Sequence, residues 1–244
     1  MIYNLTVYFV MFMILAVIGY FVEVVDYSLE KHHFTMSRGF LVGPYIPIYG
    51  VGALLMYFLL SRYKEDIAVL FILSMFLCSF IEYMTSFVME KMFNLRWWDY
   101  SDKKFNINGR VYLLNSVLFG IAGVLVCCYL GPWLHNWITS WGLWYLYIIG
   151  GILFVVFWFD FIISNVIVTK LKHRAYEYSK IDATSEIRER ILFEIKQHIV
   201  LYSRVFQAFP NIFADKRFRL LSNLMEKAKK ELNNLKDKFR SMIL

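Results

Sequence analysis

VYLLNSVLFGIAGVLVCCYLGPWL, residues 111–134, contains no charged side chain, and its reading decides the class of fold. At 1.5 Å rise per residue, ~20 apolar residues in a helix cover the ~30 Å hydrocarbon core of a bilayer. The stretch is long enough to cross. Outward from it lie four more blocks of spanning length: 5–25 with Glu23 as its only charge, 39–61 with none, 67–89 with Glu82 and 137–169 with Asp160. The chain therefore reads as all-α, a polytopic membrane bundle of about five helices.

Composition agrees. Apolar classes make up 59% of the 244 residues and aromatics 19%, with a mean hydropathy of +0.50, well beyond a typical soluble domain. The block 137–169 is too long for one perpendicular span, and Ser140-Trp141-Gly142 offers a break, so the fifth helix is expected to begin near Leu143. The first block has no basic segment before it and no small-x-small cleavage pattern, so it is read as a retained helix.

The net charge of +7 is local. From Lys170 onward the chain holds 17 Lys+Arg against 9 Asp+Glu, and the rest sums to −1. A basic tail beside a membrane is matched by an anionic inner leaflet and does not call for nucleic acid. The tail also changes pattern. Ile187, Ile191, Ile195, Ile199, Tyr202, Phe206 and Phe209 recur at helical spacing up to Pro210, and Leu221, Leu224, Ala228, Leu232, Leu235 and Phe239 recur after it. This predicts a helical hairpin whose stripes either bury each other or dock a partner. Residues 1–170 are thus expected to be the membrane bundle and 171–244 a cytoplasmic tail.

Orientation follows from the basic residues. With the amino terminus outside, the inner segments carry Lys31, Arg38, Lys91, Arg96, Lys103, Lys104, Arg110, Lys170, Lys172 and Arg174, whereas only Arg62 and Lys64 lie outside. That is the positive-inside bias. Trp133, Trp137, Trp141 and Trp144 then mark the outer boundary, and Trp97, Trp98 and Tyr100 the inner one.

Each charge at bilayer depth needs a partner or a wet cavity, since insertion costs ~2.5–3.5 kcal/mol. Glu23, Glu82 and Asp160 all fall in the inner leaflet half, the last two about 10–14 Å inside the boundary. They also lie on polar stripes that should face the bundle: Ser74, Cys78, Glu82 and Thr85; Gly19, Glu23 and Asp26; Asp160 and Ser164. The second block starts after Arg38-Gly39 and continues through Gly43-Pro44 and Pro47, and the fourth follows Asn108-Gly109-Arg110. Both run from inside to outside, so their free N–H groups and positive dipole ends face the cytoplasm. Converging, they would hold an anion, either Glu82 itself or a phosphate or carboxylate ligand. An internal ion pair of Arg38, Arg110 and Glu82 that only fixes packing is the competing reading. Gly43-Pro44 and Gly50-x-Gly52 equally suit the simple shaping of a helix start.

Several chemistries find no footing. The chain has no Walker A, GxGxxG, zinc-protease or nucleophile-elbow sequence, so neither a cofactor nor an attached catalytic module is expected. Cys78, Cys127 and Cys128 read as packing residues, and His32-His33 lacks further ligands, so no metal site is expected.

Arg38-Gly39-Phe40-Leu41-Val42-Gly43-Pro44-Tyr45-Ile46-Pro47-Ile48-Tyr49-Gly50-Val51-Gly52, Glu82, Trp97-Trp98-Asp99-Tyr100-Ser101 and Asn106-Ile107-Asn108-Gly109-Arg110 resemble, in order and spacing, the bacterial family named putative ABC-transporter type IV, or CmpB-like permeases. The resemblance covers roughly the first 170 residues. It implies a multi-pass protein of the bacterial cell membrane with a role in transport, and a separate ATPase subunit as partner. Combined with the residues, it gives a cytoplasm-facing site of Arg38, Gly39, Gly43, Glu82, Asp99, Gly109 and Arg110, with Glu23 and Asp160 as secondary members. Two other readings stay open: an enzyme acting on lipid head groups at the inner leaflet, and a non-catalytic anchor or sensor that presents the tail. The partners expected are the bilayer, with its anionic inner leaflet, and a second copy of the chain.

Overall fold

A computed structural model describes residues 1–31, 39–93, 96–180, 223 and 227. It is an all-α bundle. Helix α1 spans Ile2–Lys31, α2 Pro47–Leu60, α3 Ile67–Phe93, α4 Leu113–Leu125, α5 Gly131–Thr139 and α6 Leu143–Lys180. A π-helical turn at Val126–Leu130 joins α4 to α5, so the two make one rod from Leu113 to Thr139. The wider turn falls just before Pro132, whose missing N–H interrupts the ordinary ladder. Four rods are long and apolar enough to cross a membrane: α1, α3, α4–α5 and α6. The break expected at residues 140–142 is present, and α6 starts at Leu143.

The block 39–61 departs from a full-length span. Only Pro47–Leu60 is helical, 14 residues, or ~21 Å against a ~30 Å core. Residues 39–46 make up the difference as a non-helical segment that enters the bundle. The cause is local. Gly39 sits at φ +96°, Pro44 and Pro47 lack N–H donors, and Ile46 before Pro47 is extended. The Ile46 N–H donates to the Ala16 carbonyl at 3.0 Å, halfway along α1. This fastens the segment at bundle depth.

Close helix approach uses small residues. A side chain at Gly50 would strike the Phe12 ring and carbonyl at 2.7 Å, and one at Gly123 would strike Ser74. Val7, Val10, Met11 and Leu15 of α1 pack with Met56, Leu70, Cys127, Leu134 and Leu146 in the main core. Outward faces stay apolar, as Phe76, Trp144 and Phe159 show, which suits contact with lipid. Helix α6 continues unbroken through residue 170, and the tail hairpin expected over 187–239 lies outside the described residues.

Candidate functional site

The segments 39–46 and 96–112 lie at one end of the bundle, and three polar groupings meet there. The first is built on Asp160. Its Oδ1 accepts from the Val42 N–H at 2.8 Å and the Ser164 hydroxyl at 3.0 Å, and its Oδ2 from the Gly43 N–H at 2.7 Å and the Tyr45 hydroxyl at 2.5 Å. Asp160 is buried and takes the Val42 and Gly43 donors, while the Tyr45 N–H turns back to the Gly43 carbonyl at 2.9 Å. Gly43 has room for no side chain, because a Cβ would lie 2.2 Å from the Tyr45 ring. The backbone mouth expected to hold an anion is therefore filled by the chain's own α6.

The second grouping surrounds Glu82, which is 6% exposed. Its Oε1 accepts from Asn115 of α4 at 2.7 Å and faces the Tyr100 hydroxyl at 3.5 Å, while Oε2 has no hydrogen-bond partner. On α1, Glu23 accepts from the Tyr49 hydroxyl at 2.8 Å, and Tyr49 lies within electrostatic reach of both Glu82 and Tyr100. The Tyr100 ring meets the Tyr112 ring at a 52° tilt, centroids 4.6 Å apart, and its phenol is raised above the usual range, first by burial and then by Glu82 and Glu23. Along α3, Ser74, Cys78, Glu82 and Ser86 are all buried at a spacing of four, so one face carries a polar track. The Ser74 hydroxyl, like Glu82 Oε2, is without a partner.

The third grouping is a small hairpin over the same end. Strand Asn106–Ile107 pairs antiparallel with Val111–Tyr112, and Asn108 (φ +53°) and Gly109 (φ +65°) make the turn. A Cβ on Gly109 would sit 2.4 Å from both Asp99 Oδ1 and Ser101 Oγ. Asp99 accepts from the Ser101 hydroxyl at 2.5 Å and its N–H at 3.1 Å, and pairs with Arg96 at 3.0 Å. Burial works to raise the Asp99 carboxyl, but Ser101 and Arg96 outweigh it and hold it below the usual carboxylate range. Arg110 reaches Glu90 at 2.8 Å and Ser86 at 3.0 Å, and its guanidinium lies near the Tyr83 and Phe87 rings.

The sequence-expected residues are thus divided among separate groupings. Gly43 joins Asp160, Glu82 neighbours Glu23, and Asp99, Gly109 and Arg110 belong to the hairpin. Arg110 pairs with Glu90 instead of the expected Glu82, because Glu90 lies two helical turns nearer the mouth of α3. Gly39 packs beside Ile46, and Arg38, His32 and His33 lie outside the described residues. Tyr45, Tyr49, Asn115 and Ser86 carry no expected site role in the sequence, and Tyr100 is expected there only as a marker of the inner boundary. Ser86 was within reach, since the buried stripe continues at i+4 from Glu82 to Ser86 and not to the half-buried Thr85. Asn115 was the other available signal, as a polar amide near the start of an uncharged span.

A bundle with long apolar rods, a non-helical segment held at depth and buried carboxylates at one end defines a polytopic membrane protein. Residues 10–165 match the family model described as Putative ABC-transporter type IV, and the chain belongs to that family. The match takes in the re-entrant segment, Glu82, the hairpin and Asp160. No match is found among curated proteins or among solved structures.

Proposed function

We propose that this is a permease-like transport protein of the bacterial cell membrane, with a solute site that opens to the cytoplasm around Glu82. What supports this is a carboxyl group buried among α1–α4 with one oxygen unpartnered, in a molecule that saturates Asp160 nearby. An intramembrane acid that serves packing alone gains from full pairing or replacement by an apolar residue. Gly39, Gly43, Asp99, Gly109 and Arg110 lie at the same end of the bundle as this site, and Glu23 is its second acid. The amino terminus lies outside and the carboxyl terminus in the cytoplasm, with the basic tail 171–244 against the anionic inner leaflet. The family's name adds an ATPase subunit as partner. A second copy of the chain is a further partner, seated on the apolar outer face of the bundle.

The test begins with the purified full chain in detergent. Solute classes, including phosphate esters, carboxylates, amines and amino acids, are screened for a rise in melting temperature. Those that act are followed as radiolabelled uptake into proteoliposomes. Wild type should accumulate the solute, and Glu82→Gln should bind it more weakly and fail to accumulate it. A solute bound and moved equally by both proteins would remove Glu82 from the site, and binding without uptake would remove transport.

A further inference from the structure

Glu82 Oε2 has less than 1 Å² of accessible surface and no hydrogen-bond partner, although Oε1 of the same carboxyl receives a short bond from Asn115. An ionised oxygen in that position lacks both water and donors, the most unfavourable state for a carboxylate. Among the described residues the surroundings do not supply the missing positive charge. Glu23 with Asp26 on α1, Tyr49 on α2, Cys78 one turn away on α3, Asn115 on α4 and Tyr100 of the hairpin are the groups around it. All are acids, phenols, a thiol or an amide. The two hairpin arginines are engaged elsewhere, Arg96 with Asp99 and Arg110 with Glu90.

Two facts limit what the free oxygen holds. Among the described residues no three His, Cys, Asp or Glu side chains converge as metal ligands. The oxygen is also closed to a particle the size of water, so its occupant has almost no volume. We infer that Glu82 is a proton-binding residue of the solute site, exchanging its proton with the cytoplasmic end of the bundle. On loading, an O–H bond forms at Oε2 and the carboxylate becomes a neutral acid; on release that bond breaks and the proton returns to water. The Tyr100 hydroxyl, at 3.5 Å from Oε1, is the nearest hydroxyl that a small movement would turn into a relay. The inference rests on the transport reading for its purpose, since a proton carried here is one that travels with or against a solute.

Infrared spectroscopy of the full chain in lipid vesicles tests it without any solute. Wild type at neutral pH should show the carbonyl stretch of a protonated carboxyl, shifted in heavy water and removed by alkaline titration. Glu82→Gln should abolish this band, while Glu23→Gln should retain it. Absence of the band from wild type, or its loss in Glu23→Gln in place of Glu82→Gln, overturns the inference. Should Glu82→Gln fail to fold, Glu82→Asp moves the carboxyl by one methylene and must shift the band; an unshifted band overturns the inference as well. Failure here leaves the transport reading standing if Glu82→Gln still loses uptake. A band assigned to Glu82, with normal uptake by Glu82→Gln, would sink transport through this site and keep the proton.

Discussion

Asp160 and Glu82 are both buried carboxyls on long apolar helices, and both lie toward the same end of the bundle. Around Asp160 each oxygen receives two donors, two of them from the backbone of the re-entrant segment. Around Glu82 one oxygen receives Asn115 and the other receives nothing. The first pattern is that of a fastener, because a carboxylate with its lone pairs filled gains nothing from a ligand and the segment it holds would come loose without it. The second leaves capacity for a ligand. Depth and burial alone would have ranked the two acids together; counting donors separates them.

The comparison breaks first at Asp160. Asp160→Asn keeps the size of the side chain but turns an NH2 group toward donors that need an acceptor, stranding buried amides at Val42 or Gly43. A loss of about 1–3 kcal/mol is expected, the cost of leaving a buried donor unsatisfied. Glu82→Gln should change stability by less than about 1 kcal/mol, since no donor to Oε2 is lost. Detergent melting temperatures of the two variants decide it. Equal losses would erase the distinction.

The hairpin sharpens the contrast at the Glu82 side. Gly109 has a left-handed φ and no space for a methyl group beside Asp99 and Ser101, and its carbonyl accepts from the Tyr100 N–H at 2.8 Å. Gly109→Ala should cost about 1–3 kcal/mol. The displaced Tyr100 should alter the Glu82 infrared band and leave the re-entrant segment unchanged. Protection of the Val42 and Gly43 amides from hydrogen exchange reports on the latter; if it falls together with the hairpin, the two regions are one unit.

A double-mutant cycle places Arg110. Its 2.8 Å contact with Glu90, at 11% and 40% side-chain exposure, predicts a coupling of about 0.5–1.5 kcal/mol between Arg110→Ala and Glu90→Ala. Between Arg110→Ala and Glu82→Gln the coupling should be near zero. The reverse result would restore Glu82 as the partner of Arg110 and take away its free oxygen.

Much of this is legible in the sequence. Four of the spanning blocks, the break before Leu143 and the inward-facing stripes of Glu82 and Asp160 follow from counting apolar residues and charges. The roles of the acids did not follow. Gly43-Pro44 and Pro47 announce that the backbone cannot be a regular helix, but nothing local says that its amides meet Asp160, more than a hundred residues on. Arg110 could be placed at a helix mouth, yet the choice between Glu82 and Glu90 is a matter of two helical turns, ~12 Å, which depends on how deep the hairpin sits. Periodicity marks faces; it does not say which faces meet.

The smallest effect concerns Asp99, which shapes the turn that carries Tyr100. Its carboxyl is held below the usual range in the folded state, so folding favours the ionised form. The sign follows. Stability from this group is fully present above the unfolded carboxylate value of about 4 and is lost as pH falls through the lower folded value. A third of the side chain is exposed, and screening by solvent keeps the contribution under about 1 kcal/mol. Asp99→Asn should therefore melt slightly below wild type at neutral pH, and the two curves should converge once the pH has fallen through the lowered folded value. Added salt should narrow the gap at neutral pH, since the Arg96 pair is partly exposed. Curves that stay parallel across the whole range would mean that Asp99 acts through the shape of its turn with Ser101 and not through its charge, and Tyr100 would then be positioned over Glu82 in the same way at every pH.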